Sequence, residues 1–78
     1  MRTYEFWRER TSGDIWAVEL EDGIVAACAG PLHPGDINPA YLDGYDYSPA
    51  EAERLDGARE EFDLLDEKAL LLLAAGGD

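Results

Sequence analysis

Asp22-Gly23 constrains the fold of this chain more than any other pair in it. It separates "DIWAVEL" from "IVAACA", two runs rich in β-branched, aromatic and small apolar residues. An Asp-Gly step between such runs marks a two-residue hairpin, because a type I′ turn needs positive φ at both central positions and matches the twist of the strands. A third run, "TYEFWRER", alternates with period two and ends at "TSG", which suits a three-residue loop closed by a left-handed Gly13. The run after Asp22-Gly23 stops at Gly30-Pro31. These signals predict a three-stranded antiparallel meander over about residues 3–10, 14–21 and 24–29.

Loop length then sets register. A two-residue second loop pairs Glu21 with Ile24 and Ala17 with Cys28. A three-residue first loop pairs Arg10 with Asp14 and Trp7 with Ala17. On that register one face shows Tyr4, Phe6, Arg8, Trp16, Val18, Leu20, Val25, Ala27 and Ala29, and the other is mixed, with Trp7, Ala17 and Cys28 in one row. A one-residue slip in the first loop turns the whole first strand over.

Residues 31–48 break into "HPGD", "NPAY" and "DGYDY", an irregular, Tyr-rich connector. Ser48-Pro49-Ala50-Glu51 reads as a helix start, with a Ser N-cap, Pro at the first helical position and Glu placed to close a capping box. Ala52, Leu55, Ala58, Phe62 and Leu65 continue at helical spacing, which predicts a C-terminal helix over about 49–65, weakest at Gly57. Residues 66–78 form an apolar tail, read either as an extension of that helix past Asp63 or as a short second helix capped by Asp63 or Asp66 and stopped by Gly76-Gly77. The expected architecture is a two-layer α+β domain, one domain over residues 1–78, with the helix packed on the Phe6–Trp16 face.

At 78 residues the chain buries only roughly 60% of its unfolded surface, so its stability margin is small. The formal net charge is −12, and it is uneven: residues 1–32 carry six acids and three bases, residues 33–78 twelve acids and three bases. Such a surface repels phosphate backbones and anionic bilayers, which argues against direct nucleic-acid or membrane binding and for a protein partner. The chain opens on alternating charged and apolar residues without a signal-peptide pattern, and its longest apolar run, "ALLLLAA", is far short of the roughly 20 residues of a membrane span. With a single cysteine, the expected compartment is the cytoplasm.

Cys28 and His33, the only cysteine and the only histidine, lie five positions apart with Asp36 beyond them. A thiol nucleophile needs a neighbour that lowers its pKa. Here a Gly-Pro step sends the chain away between the two, and Cys28 reads as a small apolar residue among Ala and Val. Two Cys or His residues are too few for a structural zinc site. Asp36, Asn38, Asp43 and Asp46 lack calcium-loop spacing and suit turns. No phosphate-binding glycine loop, nucleophile elbow or metalloprotease helix is present. The expectation is a non-catalytic protein with no cofactor and no metal.

Apolar surface is in excess over what one helix covers. Trp7, Ile15 and Ile24 on the mixed face, Leu71 and Leu72 in the tail, and Tyr41, Tyr45 and Tyr47 in the connector are the candidate interaction residues. The tyrosines read equally as recognition rings and as pins holding the connector to the sheet. The leading expectation is an accessory or regulatory protein acting by self-association, a homodimer or higher homo-oligomer, or by binding another protein. Two alternatives stand beside it: an acidic inhibitor imitating nucleic acid on a basic partner, and, last, a thiol enzyme built on Cys28.

Overall fold

The computed structural model describes residues 1–74. Strands β1 (Arg2–Glu9), β2 (Ile15–Glu21) and β3 (Ile24–Leu32) form the antiparallel meander. A fourth strand, β4 (Phe62–Leu64), joins the outer edge of β1, so the sheet order is β3-β2-β1-β4 and the three-stranded expectation is corrected to four. Two short helices complete the α+β fold, α1 (Ala52–Gly57) and α2 (Glu67–Ala74).

β4 comes out of the segment expected to be helical. The helix predicted over 49–65 divides into a 3-10 turn at Pro49–Glu51, α1, a second 3-10 turn at Arg59–Glu61, and β4. Beyond Gly57 the Ala58 N–H is shared between the Arg54 and Leu55 carbonyls, which ends the helical ladder. The open edge of β1 then offers the chain a better set of partners than a further helical turn. Arg10 N–H donates to Glu61 O at 3.0 Å and Leu65 N–H to Phe6 O at 2.9 Å. Extended geometry also sends Phe62 and Leu65 to opposite faces of the sheet, where each is buried. Ser48 caps the start as expected, accepting from Ala50 N–H. Glu51 does not close the capping box: Ser48 N–H is taken by Cys28 O, and Glu51 pairs with Arg54 at 2.7 Å.

The first hairpin corrects the expected register by one. Glu9 N–H donates to Asp14 O and Gly13 N–H to Glu9 O, both at 2.8 Å, so the loop holds four residues, 10–13, with Gly13 at φ 78°. Trp7 therefore pairs with Trp16, and Phe6 with Ala17. In the second hairpin Asp22 and Gly23 both take positive φ and Glu21 pairs with Ile24, as a type I′ turn requires. Two positions on, Ala26 bulges out of the ladder between Leu20↔Val25 and Glu19↔Ala27. The bulge brings Cys28 opposite Val18, where the unbroken register would have set it opposite Ala17.

These two shifts distribute the apolar residues over both sides of the sheet. Trp7, Trp16, Val18, Leu20, Val25 and Cys28 share one face with Ala52 and Leu55 of α1 and with Phe62. Phe6, Ile15, Ala17 and Ala29 line the other with Leu65, covered by Ile37, Leu42, Tyr45 and Tyr47 of the connector and by Ala69, Leu70 and Leu73 of α2. The sheet is thus a middle layer with two cores, and the single-helix cover expected from sequence is replaced by α1 on one side and the connector with α2 on the other. Phe6, Val18 and Leu55 are completely enclosed, each contributing about 1.5–3 kcal/mol by burial.

The open edge of β3 is covered from within the chain. Cys28 and Ser48 exchange backbone hydrogen bonds at 2.9 and 3.0 Å, the Asp56 carboxylate accepts Val25 N–H at 3.1 Å, and the Arg59 guanidinium donates to Gly23 O at 2.7 Å. An edge occupied in this way gives little template to another strand.

Candidate interaction surface

The connector is built around its tyrosines. Tyr45 stands edge-on to Phe6 at 5.8 Å, and Tyr47 packs on Tyr4 at 5.4 Å. The Tyr45 hydroxyl donates to Asp36 O at 2.6 Å and accepts Asn38 N–H at 2.8 Å, while the Tyr47 hydroxyl donates to Leu42 O. Burial pushes the Tyr47 hydroxyl pKa well above the usual phenol range, with Tyr4 and Glu19 adding to the shift. Both rings act as pins, the second of the two roles their sequence allowed. Between them they fix a 3-10 turn at Pro34–Asp36 and another at Pro39–Tyr41, the latter capped by the Asn38 side chain, which accepts Ala40 N–H at 3.0 Å.

Helix α2 lies against these turns. Asp66 caps it, its carboxylate accepting Ala69 N–H at 2.9 Å. Ala69, Leu70 and Leu73 turn inward, whereas Leu71 and Leu72 are 65% and 64% exposed. Pro39, Glu67, Leu70 and Leu71 together line an open, almost wholly apolar groove of about 450 Å³. Tyr41, at the end of the same 3-10 turn as Pro39, is 66% exposed. The segments that build this side carry Asp36, Asp43, Asp46, Asp66 and Glu67 against one cation, Lys68.

The residues singled out from sequence divide into three groups. Trp7 and Ile15 are enclosed, one in each core, by other parts of the chain. Tyr45 and Tyr47 are half-buried pins. Ile24, Tyr41, Leu71 and Leu72 are exposed, Ile24 at the second hairpin and the others on the connector and α2. Sequence reasoning missed Pro39, Glu67 and Leu70 as groove residues. The spacing of 67, 70 and 71 on one helical face carried that signal, once α2 is known to begin at Glu67. The stop expected at Gly76-Gly77 lies outside the described residues.

Cys28 is buried on the α1 side, and desolvation, with Glu51 adding, raises its thiol pKa. His33 is exposed beyond the end of β3. Among the described residues no three His, Cys, Asp or Glu side chains gather as metal ligands, and no helix is long and apolar enough to cross a membrane. No family model, curated protein or solved structure matches this chain.

Proposed function

We propose that this chain is a small acidic, non-catalytic interaction protein of the cytoplasm, which works by docking another protein in the groove between α2 and the Pro39–Tyr41 turn. The observation that carries the reading is the groove itself, an apolar concavity with exposed Leu71 on its wall and an acidic side chain, Glu67, in its lining. Exposed apolar concavities rimmed by polar groups are how small proteins meet partners. A raised thiol pKa and a Cys28 turned toward α1 favour a packing role for the one thiol the chain offers.

Self-association was expected because the sheet had two apolar faces and one helix to cover them. With α2 and the connector counted as cover, the large apolar side chains left exposed among the described residues are Tyr41, Leu71 and Leu72 near the groove, together with Met1, Ile24 and Leu64. The three side chains near the groove offer roughly a few hundred Å² of apolar area, against about 800 Å² per partner in a stable interface. An area this small suits a weak or transient contact with any partner, and charge favours a different protein, because a second copy sets one chain of net charge −12 against another.

The direct test is site-specific photo-crosslinking in cells that express the protein. A photoreactive residue at position 71 is expected to give a discrete heterologous adduct, and the same residue at position 24 to give none. Equal labelling from both positions, or no adduct from position 71, would discard the groove as the working surface.

A further inference from the structure

Resting on that docking reading, we infer that the occupant of the groove is a basic amphipathic helix of another protein, with an apolar stripe for Pro39, Leu70 and Leu71 and Lys or Arg side chains beside it. Three observations converge on this chemistry. The floor and wall are apolar, and among the described residues the single charged group in the lining is Glu67, which sits one helical turn before Leu70 and Leu71 and so faces whatever lies against them. The flanking segments hold five carboxylates to one ammonium, within a chain of net charge −12. A cationic ligand gains from those carboxylates in steering, and from Glu67 in register as well.

Charge also decides against other occupants. A second copy brings the same acidic rim to the contact, and nucleic acid or an anionic bilayer brings phosphates. The backbone decides between a helix and an extended peptide. Strand addition requires free N–H and C=O groups along an edge, but the groove wall is a helix whose backbone bonds are internal, and the β3 edge is occupied by Ser48, Asp56 and Arg59. A helical ligand satisfies its own backbone and presents side chains at the i, i+3, i+4 spacing that a short apolar groove can accept.

The test uses three designed helical peptides with one shared Leu face and polar faces of Lys/Arg, Gln or Glu, titrated against the intact protein by fluorescence anisotropy. The Lys/Arg peptide is expected to bind saturably, about tenfold or more tighter than the Gln peptide, with the Glu peptide weakest, and to weaken as salt is raised. Leu71→Asp is expected to abolish its binding and Glu67→Lys to weaken it about tenfold, while Ile24→Asp leaves it unchanged. Urea midpoints within error of the parent protein establish that the variants, all at exposed or rim positions, remain folded.

If the Gln or Glu peptide binds as tightly as the Lys/Arg peptide and Leu71→Asp abolishes both, the charge inference falls while the docking reading stands. If Lys/Arg binding survives Leu71→Asp, the attraction is unspecific charge and the inference falls. If no peptide binds, or the protein alone dimerises through Leu71, the inference and the docking reading both fall.

Discussion

The Arg59 guanidinium lies over the Trp7 ring, 5.4 Å from carbon to centroid, and ties the turn that follows α1 to the first strand. Arg54 stands over Trp16 in the same manner at 5.6 Å, held by Glu51 and approached by Glu9 at 3.6 Å. Each indole of the α1-side core is thus lidded by a cation. Arg59 also donates to Gly23 O and pairs with Asp56. Arg59→Ala is expected to lower stability by about 1–2 kcal/mol, the sum of an exposed cation–π contact and one hydrogen bond. Arg59→Lys should recover less than half of the loss, because a point charge neither stacks nor reaches two acceptors in one plane. Urea unfolding followed by tryptophan fluorescence measures both.

Two glycines should respond in opposite directions to the same substitution. Gly30 has φ 148°, and a Cβ there would stand 2.9 Å from Ile15 O and 3.0 Å from the Trp16 ring. Gly30→Ala is expected to cost about 2–4 kcal/mol from backbone strain and overpacking. Gly57, the last residue of α1, has nothing within 4 Å of its added Cβ. Gly57→Ala is expected to stabilise by about 0.5–1 kcal/mol through helix propensity. Urea midpoints of the two variants moving in the same direction would contradict this reading of the backbone.

Alkaline pH should destabilise the fold through Tyr47 and Cys28, whose pKa values are both raised by burial. The folded state holds each proton more tightly than the unfolded chain. The stabilisation is therefore complete below the unfolded values, about 8.5 for Cys and 10 for Tyr, and is lost as pH rises from there through the folded values. Urea midpoints are expected to fall from about pH 9 upward, more steeply above about pH 10. Tyr47→Phe should flatten the steeper part while lowering neutral stability by about 1 kcal/mol for the lost hydrogen bond to Leu42 O. In the same range Cys28 should react with iodoacetamide only as fast as the protein opens.

The turns of this chain were legible because they are local. Asp22-Gly23 takes the two positive φ values its residues favour, and Ser48 caps where a Ser-Pro step should. Register was less legible. The stretch "VAACA" is made of side chains small enough for either face, so nothing in it marks Ala26 as the residue that bulges. β4 was hidden by a coincidence of periods, since Leu55, Ala58, Phe62 and Leu65 suit a helix until the free edge of β1 is in place to pair with the chain. Most of the candidate surface was visible as apolar excess, but four consecutive leucines carry no amphipathic pattern. Only the packed neighbours decide that Leu70 and Leu73 turn in and Leu71 and Leu72 out.

The first loop offers the sharpest test of what sets register. Deleting Thr11 leaves three residues between Glu9 and Asp14, a length that hairpins adopt freely with glycine at the last position. The loop itself would tolerate the change. Glu9 then still faces Asp14, so Trp7 keeps its place opposite Trp16 in the core it shares with Phe62 and Arg59, and Phe6 its place beside Tyr45. The other outcome, a loop that keeps four residues, shifts pairing by one and sets each ring against a cavity shaped for the other, at a cost of more than about 3 kcal/mol, typical of disrupting a large buried aromatic. The two cores therefore hold the register, and the deletion variant is expected to unfold cooperatively within about 1 kcal/mol of the parent with its near-ultraviolet circular dichroism preserved. A variant that loses that signal and its cooperative urea transition would mean that loop chemistry, and not the two cores, determines which face Trp7 occupies.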